Sequence, residues 1–506
     1  MWRFLLQRSK NFLLLFLSVF LFLLSNPSFL CEDGISFLSW VCYFPLFLLL
    51  DRISLKKSFL YGFAYGFISY ILLCWYLSSF GFAALSFVSF LFGFYYSVLF
   101  FILIWAKIVF PSKYRNFFWL FRIFILISFD LLRSRGIFGF SYGITGYTQW
   151  KNPVFLRFSS LFGVNGVSFL IYLFNSLIYE LLIFKNKQIS AFFSIFPAVF
   201  IFYLFPYQTT EKSELNIALI QNSSSASSNS ISDFENDALL LKNLTDKALE
   251  YSPETELVVW PETAIVPDII YHSENFSDSR RHRLAVDLID YFKEKKCAFL
   301  TGNNHIAGKR NYNSAVFFHP DNKNFEIYSK NHLVPFTEFW PSFLDFKFFD
   351  FIKKRLNCEF FSMGNEISVF KIGGLIFASP ICFEDSFSPL ICLMKEKDAD
   401  FLINISDDAW SNCKEAQKIH LSMSVFRAAE YNSPVIRSTI DGITCIIDCH
   451  GKVISYLKSG TDSFLTHKLG IPKNSKTMYF YIRDYPFFLI LIFTIILLLI
   501  FSVQFV

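Results

Sequence analysis

Three short strings end apolar runs on side chains able to do chemistry. "SPICFED" (379–385) puts Cys382 where a buried strand should stop, with Glu384 two residues on. "VVWPET" (258–263) puts Glu262 just beyond another apolar run, and "YSKNHLVPFTEF" (328–339) puts Lys330 and Glu338 around a proline-containing turn. Each string has an ordinary meaning alone: a strand cysteine is packing, a glutamate after Trp-Pro caps a turn, and a lysine before Asn-His is a solvated charge. Together they form a working set. A thiol is a nucleophile only as thiolate, and a neighbouring carboxylate can take its proton. An ammonium can hold the charge that develops on a carbonyl oxygen under attack, with the backbone N–H of Phe383, the residue after the thiol, as a second donor. One thiol, one carboxylate and one ammonium suffice for acyl transfer through a thioester.

These residues need strands to carry them. Between Leu215 and Val453, β-rich runs ("LNIALIQ", "LVVWPE", "CAFLTGNN", "NSAVFF", "LIFASPIC", "DFLINIS", "PVIRSTI", "ITCIID") alternate with three helical patterns: "FENDALLLKNLTDKALEY", "RRHRLAVDLIDYFKEKK" and "CKEAQKIHLSMSVFRAAEY". That alternation predicts a layered α/β domain whose chemistry collects at strand ends. The Ser/Asn-rich stretch after the first run, "QNSSSASSNSISD", reads as a loop or a lid near the site. His332 and His420 stand in no nucleophile pair by sequence.

The rest of the chain is of another kind. Of 506 residues, 54% are hydrophobic and 17% charged, with 69 Phe; soluble domains run at about 45–50% and about 25%. The apolar excess lies before Tyr207 and after Tyr485. Eight runs approach the roughly 20 apolar residues a spanning helix needs: near 11–30, 35–50, 58–77, 82–106, 116–133, 160–184, 189–206 and 486–506. The first follows Arg3, Arg8 and Lys10, lacks a small-residue cleavage site and reads as a retained anchor. Lys and Arg crowd the loops after the second, fourth and sixth runs, which places those loops and the N-terminus inside and the α/β domain outside the cytoplasm. The loop between the fifth and sixth runs, with Arg133, Arg135, Lys151 and Arg157, is an exception. Expected boundaries are 1–210 for seven spans, 211–470 for the catalytic domain and 471–506 for a linker and the eighth span. Arg122 and Asp130 lie within a run and must be paired or face a cavity; Gly62 and Gly66 form a GxxxG, a signature of close helix packing. A net charge of +5 without a basic stripe gives no argument for nucleic acid. No CxxC pair or His cluster points to a metal, and no cofactor is expected. In an oxidising compartment some of the ten cysteines could pair, but Cys445 and Cys449, four apart in a strand, could not pair with each other.

The ordered set "WPET", "YSKNHLVPF" and "ICFED" resembles the nitrilase superfamily, and with the apolar runs it resembles that superfamily's membrane members, the apolipoprotein N-acyltransferases. "NISDDAW" (404–410), "RAAE" (427–430), Asp130 with Arg133, "GYTQ" (146–149) and "GVNGVSF" (163–169) are similar to further segments of that family. The resemblance implies a multi-span α-helical membrane domain of about eight helices joined to an α-β-β-α sandwich. It also implies Cys382 as nucleophile, Glu262 as general base and Lys330 as oxyanion stabiliser, with Glu338 and Glu384 supporting. The implied partners are a phospholipid acyl donor and the diacylglyceryl-cysteine of an apolipoprotein as acceptor, at the bacterial inner membrane with the catalytic domain facing the periplasm. The chain departs from the family in having Phe383 after the nucleophile instead of Tyr, Ser141-Tyr142 instead of Pro-Trp, and no tryptophan in 222–233. A membrane-tethered amidase using the same three residues, and a transporter or sensor with a degenerate enzyme domain, are the competing expectations.

Overall fold

Apolar runs bounded by turns become strands wherever both faces can be buried. In the computed structural model the strands are β1 (Glu211–Gln221), β2 (Leu257–Val259), β3 (Ala298–Ala307), β4 (Arg310–Phe318), β5 (Phe325–Ser329), β6 (Phe370–Ile372), β7 (Leu375–Ala378), β8 (Phe401–Asp407), β9 (Val435–Ile440), β10 (Cys445–Ile447), β11 (Val453–Tyr456) and β12 (Ser463–Pro472). The structure describes all residues except 1, 206–210, 224–229, 277, 321–324, 343–344, 347–359, 412, 474–475 and 506, and not the side chains of 2–8, 187–188, 211–212 and 505. The middle of the Ser/Asn-rich loop and Cys358 therefore lie outside the described residues. The other nine cysteines are free thiols.

The chain divides into two compact units: Met1–Tyr207 with Cys413–Phe426 and Thr477–Val506, and Gln208–Asn412 with Arg427–Lys476. The second holds two six-stranded sheets, ordered β12-β1-β2-β3-β4-β5 and β11-β10-β9-β8-β7-β6. In each, the centre is parallel (β1-β2-β3 and β7-β8-β9) and the flanks antiparallel. Parallel strands need both faces covered, and β2, β8 and β9 are buried almost throughout. The two sheets face each other: Phe317 packs on Phe370 and Phe377, and the Ser438 hydroxyl donates to Ile220 O at 2.9 Å. Helices Ile231–Tyr251 and Ser279–Glu294 cover the outside of the first sheet through Leu241, Ala248, Leu288 and Phe292. Trp260 belongs to this core, its indole N–H donating to the Thr245 hydroxyl at 2.9 Å. All eight expected strands and three expected helices are present. The four strands without a matching apolar run (β5, β6, β11 and β12) are the four sheet edges. An edge strand has one neighbour and a wet side, so it carries polar residues and loses the apolar signal.

The first unit is helical. Its helices include Leu55–Leu73, Phe82–Val109, Phe118–Arg133, Pro153–Ile183 and Tyr485–Phe505. Among the described residues three helices are long and apolar enough to cross a membrane: Phe82–Val109, Pro153–Ile183 and Tyr485–Gln504. Other apolar helices are shorter, at Ser9–Ser25, Ser36–Leu50 and Ile189–Leu204, so length and composition carry a membrane domain but not a count of eight. Arg122 and Asp130, both in helix Phe118–Arg133, are paired, though not with each other. Arg133 Nε donates to Asp130 Oδ1 at 3.0 Å, and Tyr172 also donates to Asp130; Arg122 meets Glu180 at 3.5 Å. "GYTQ" and "GVNGVSF" adjoin: Gly146 N donates to the Ser168 hydroxyl at 2.9 Å, and Gly163 (φ +64°) kinks its helix where a Cβ would strike the Tyr479 ring at 2.5 Å.

Gly62 and Gly66 let helix Leu55–Leu73 lie directly on the backbone of Phe82–Val109; a Cβ on Gly66 would strike Phe92 O, and one on Gly62 would sit 2.5 Å from Tyr96 O. Gly66→Val should therefore destabilise the helical unit by about 1–3 kcal/mol, read as a lower thermal midpoint in detergent. Phe94→Ala, at a ring that is 64% exposed, should leave the midpoint nearly unchanged.

Candidate active site

Glu262, Lys330, Cys382 and Asp407 lie at or just beyond the C-terminal ends of β2, β5, β7 and β8, so two strands of each sheet contribute one chemical group. Glu262 leaves β2 through Trp260-Pro261. The turn is pressed against β3: Gly302 N donates to Pro261 O at 3.1 Å, and Ile265 N donates to Gly302 O at 3.2 Å. Lys330 follows β5, its N–H held by Asn313 O at 2.8 Å. Cys382 opens a single 3₁₀ turn, Cys382–Ser386, with φ +51°, a left-handed conformation rare for a residue with a Cβ and typical of strained functional turns. Asn404 of β8 fixes that turn by donating to Pro380 O (3.1 Å) and Cys382 O (3.0 Å).

The Lys330 ammonium is the hub. It is 1% exposed and donates to Glu338 Oε1 at 2.7 Å and Glu262 Oε1 at 3.2 Å. Asn313 donates to the same two oxygens, at 3.0 and 2.7 Å. Val334 N binds the other Glu338 oxygen at 2.7 Å, and Asp407 N binds the other Glu262 oxygen at 2.8 Å. Burial disfavours the ammonium, but Glu262, Glu338 and Cys382 outweigh it and hold the Lys330 pKa well above the ordinary lysine value. The half-buried Cys382 feels both charges. Burial raises its pKa well above the usual thiol value, Glu262 adds to this, and Lys330 opposes it. At neutral pH Cys382 is therefore a neutral thiol beside Glu262.

Glu384 has another part. It is fully buried and accepts from Ile381 N (2.8 Å), Asn331 N (2.7 Å), His332 N (3.0 Å) and the Tyr328 hydroxyl (2.9 Å). Burial lifts its pKa to about 7 against those donors. It ties the Cys382 turn to the Lys330 loop. Phe383 sits beside it with its ring 5.0 Å from Phe387. The His332 ring lies tilted against Phe387, centroids 3.6 Å apart, and burial with Lys330 nearby takes its pKa down to about 4, so it is a neutral wall at physiological pH. Behind the turn, Arg437 neutralises Asp385 (3.0 Å) and Asp408 (3.2 Å). Among the described residues no group of three or more His, Cys, Asp or Glu is placed to hold a metal ion.

The structure brings Glu262, Lys330, Glu338, Cys382 and Glu384 into one site. Asn313, Tyr328, Gly302 and the Asp407 backbone belong to it too and were not singled out from the sequence. Asn313 left a signal, a polar residue in the strand "NSAVFF"; the others left none.

Residues 216–471 match the family described as carbon-nitrogen hydrolase, and residues 18–177 match the apolipoprotein N-acyltransferase N-terminal domain. The chain is 34% identical to "Apolipoprotein N-acyltransferase 1" of Treponema denticola, over 94% of this chain and 93% of that protein. It is 32% identical to the Treponema pallidum protein of the same name, over 89% and 88%. It is 29% identical to the "Apolipoprotein N-acyltransferase" of Borreliella burgdorferi, over 94% and 93%.

Gly302 tests how tightly the carboxylate is set. A Cβ there would lie 2.6 Å from Glu262 Cα, Pro261 O and Thr263 N, all backbone atoms. Gly302→Ala should lower turnover roughly 100-fold, since a shift of ~1 Å in a reacting group costs that much. Far-UV circular dichroism should stay at the wild-type signal.

Proposed function

Since the chain belongs to the apolipoprotein N-acyltransferase family and is an acyltransferase of the nitrilase superfamily, we propose that it transfers an acyl chain from a membrane phospholipid to the α-amine of a lipoprotein's diacylglyceryl-cysteine, through a thioester on Cys382. The observation that carries this reading is the buried ammonium of Lys330, which spans Glu262 and Glu338 while its charge and that of Glu262 act on the Cys382 thiol.

In the first half-reaction Glu262 takes the thiol proton as sulfur attacks the ester carbonyl. The Lys330 ammonium and the Phe383 N–H hold the oxyanion. Collapse breaks the ester bond, and the departing lysophospholipid oxygen takes the proton from Glu262. In the second half the acceptor amine attacks the thioester and gives a proton to Glu262. Collapse breaks the C–S bond, and the thiolate recovers that proton. Glu338 keeps Lys330 charged and in place between the two steps. Both substrates are lipids, which is why the thiol is held by a chain with a membrane domain. The full reading has eight spans from the eight apolar runs, boundaries at 1–210, 211–470 and 471–506, and the catalytic domain on the outer face of the inner membrane, supported by the distribution of Lys and Arg among the short loops.

Intact-mass analysis after incubation with phospholipid vesicles tests the thioester directly. Wild type should gain one acyl mass that hydroxylamine removes, and Cys382→Ala should gain none. Wild type without an adduct, or an adduct in both proteins, overturns the mechanism. Glu262→Gln should cut acyl-enzyme formation by about 10²–10⁴-fold, the usual worth of a general base.

A further inference from the structure

Every acid around the site but one is held by a cation or by four donors. Glu262 and Glu338 share Lys330 and Asn313, Asp385 and Asp408 share Arg437, and Glu384 accepts from four groups. Asp407 is the exception. It closes β8, is half-buried, and accepts from Ala409 N at 3.0 Å and from the Thr263 side chain; among the described residues no cation pairs with it. Its own N–H donates to Glu262 Oε2 at 2.8 Å, the oxygen turned away from Lys330. A carboxyl group therefore stands against the free side of the general base, with only acidic charge facing it: Glu262 from the β2 turn and Asp408 from its own strand end. Nothing in the first half-reaction needs a second acid there. The second half does, because the acceptor is a primary amine with a pKa of about 7.7–8.0 and is mostly ammonium at neutral pH. An ammonium cannot attack a carbonyl, and Glu262 has to be free to take the proton released later in that same attack.

We propose that the Asp407 carboxylate is the acceptor-binding residue of the second half-reaction: it pairs with the protonated α-amine and takes its proton, delivering free amine beside Glu262 to the Cys382 thioester. This rests on the reading above. The balance is one proton from nitrogen to Asp407 and then to solvent, followed by C–N bond formation and C–S bond cleavage with the second proton passing through Glu262. The geometry agrees with the charge. Burial first, and then Glu262, raise the Asp407 pKa to about 7, against the Ala409 N–H and the Thr263 side chain. That lies within about a unit of the amine's own value, so the transfer is close to thermoneutral. The Lys330 charge is committed to the other side of Glu262 and does not repel the incoming cation at first contact.

The test separates the half-reactions on the full-length enzyme in phospholipid-containing detergent micelles. Acyl-enzyme is formed and isolated, then mixed either with a synthetic lipopeptide bearing a free diacylglyceryl-cysteine amine or with hydroxylamine, a nucleophile uncharged at neutral pH. Asp407→Asn keeps the backbone N–H on Glu262. It should slow lipopeptide acylation at pH 7 by roughly tenfold or more relative to its effect on acyl-enzyme formation. The deficit should shrink at pH 9, where the amine is already free, and should be absent with hydroxylamine. Asp407→Glu, which restores the carboxylate, should recover part of the rate. Equal slowing of both half-reactions, of both nucleophiles, or at both pH values would reduce Asp407 to a structural residue and overturn the proposal. Wild type that forms no acyl-enzyme would overturn the parent mechanism, and this with it, in a step that precedes any amine.

Discussion

A single ammonium, buried to 1% exposure and shared by two carboxylates, is the interaction on which the catalytic unit depends. Removing an ammonium from water is expensive, and a buried pair holds only if geometry and extra hydrogen bonds offset the desolvation. Here Asn313 reaches both carboxylates, and backbone N–H groups of Val334 and Asp407 take the outward oxygens. Such a network is all-or-none: removing one member leaves an uncompensated charge in the protein interior. Its saturation is also what fixes the chemistry. The charge on Lys330 is locked in, and the Cys382 thiol beside Glu262 is held well above the usual thiol range.

The two sheets are brought to this point from opposite sides. Glu262 and Lys330 come from β2 and β5 of the first, Cys382 and Asp407 from β7 and β8 of the second. Two contacts lock the sheets together at the site. The Asp407 N–H reaches across to Glu262, and Glu384 gathers donors from both the Cys382 turn and the Lys330 loop. The left-handed backbone at Cys382 persists because Asn404 and Glu384 over-determine it. Gly302 shows the same tolerance from the other direction, since nothing larger than hydrogen fits between β3 and the Glu262 backbone.

In the helical unit the same rule governs different surroundings. Asp130 and Arg133 neutralise each other, tyrosine hydroxyls take the remaining valences, and Arg122 finds Glu180 with its guanidinium over the Phe47 and Tyr179 rings. Glycines at 62, 66, 146 and 163 replace side chains where backbone or a ring must approach closely. Van der Waals fit and satisfied polar groups, rather than water exclusion, hold such helices together.

Much of this was legible in the order of residues. Continuous apolar runs marked the eight interior strands, because a strand covered on both faces has no place for charge. Long Phe/Leu/Ile runs marked the membrane domain, and three strings marked Glu262, Lys330, Glu338, Cys382 and Glu384, because strand ends are where polar side chains can face a cleft. The four edge strands were hidden, since one wet side erases the pattern. The partner of Arg122 was hidden too, fifty-eight residues away on another helix. So were the Asn313 bridge, the close fit of Gly302 and the carboxyl of Asp407 that no cation meets. Residue types and local periodicity follow from the chain itself; which side chains share a proton or a charge is decided by distances of about 3 Å between segments far apart in sequence. Only the packed sheets set those distances.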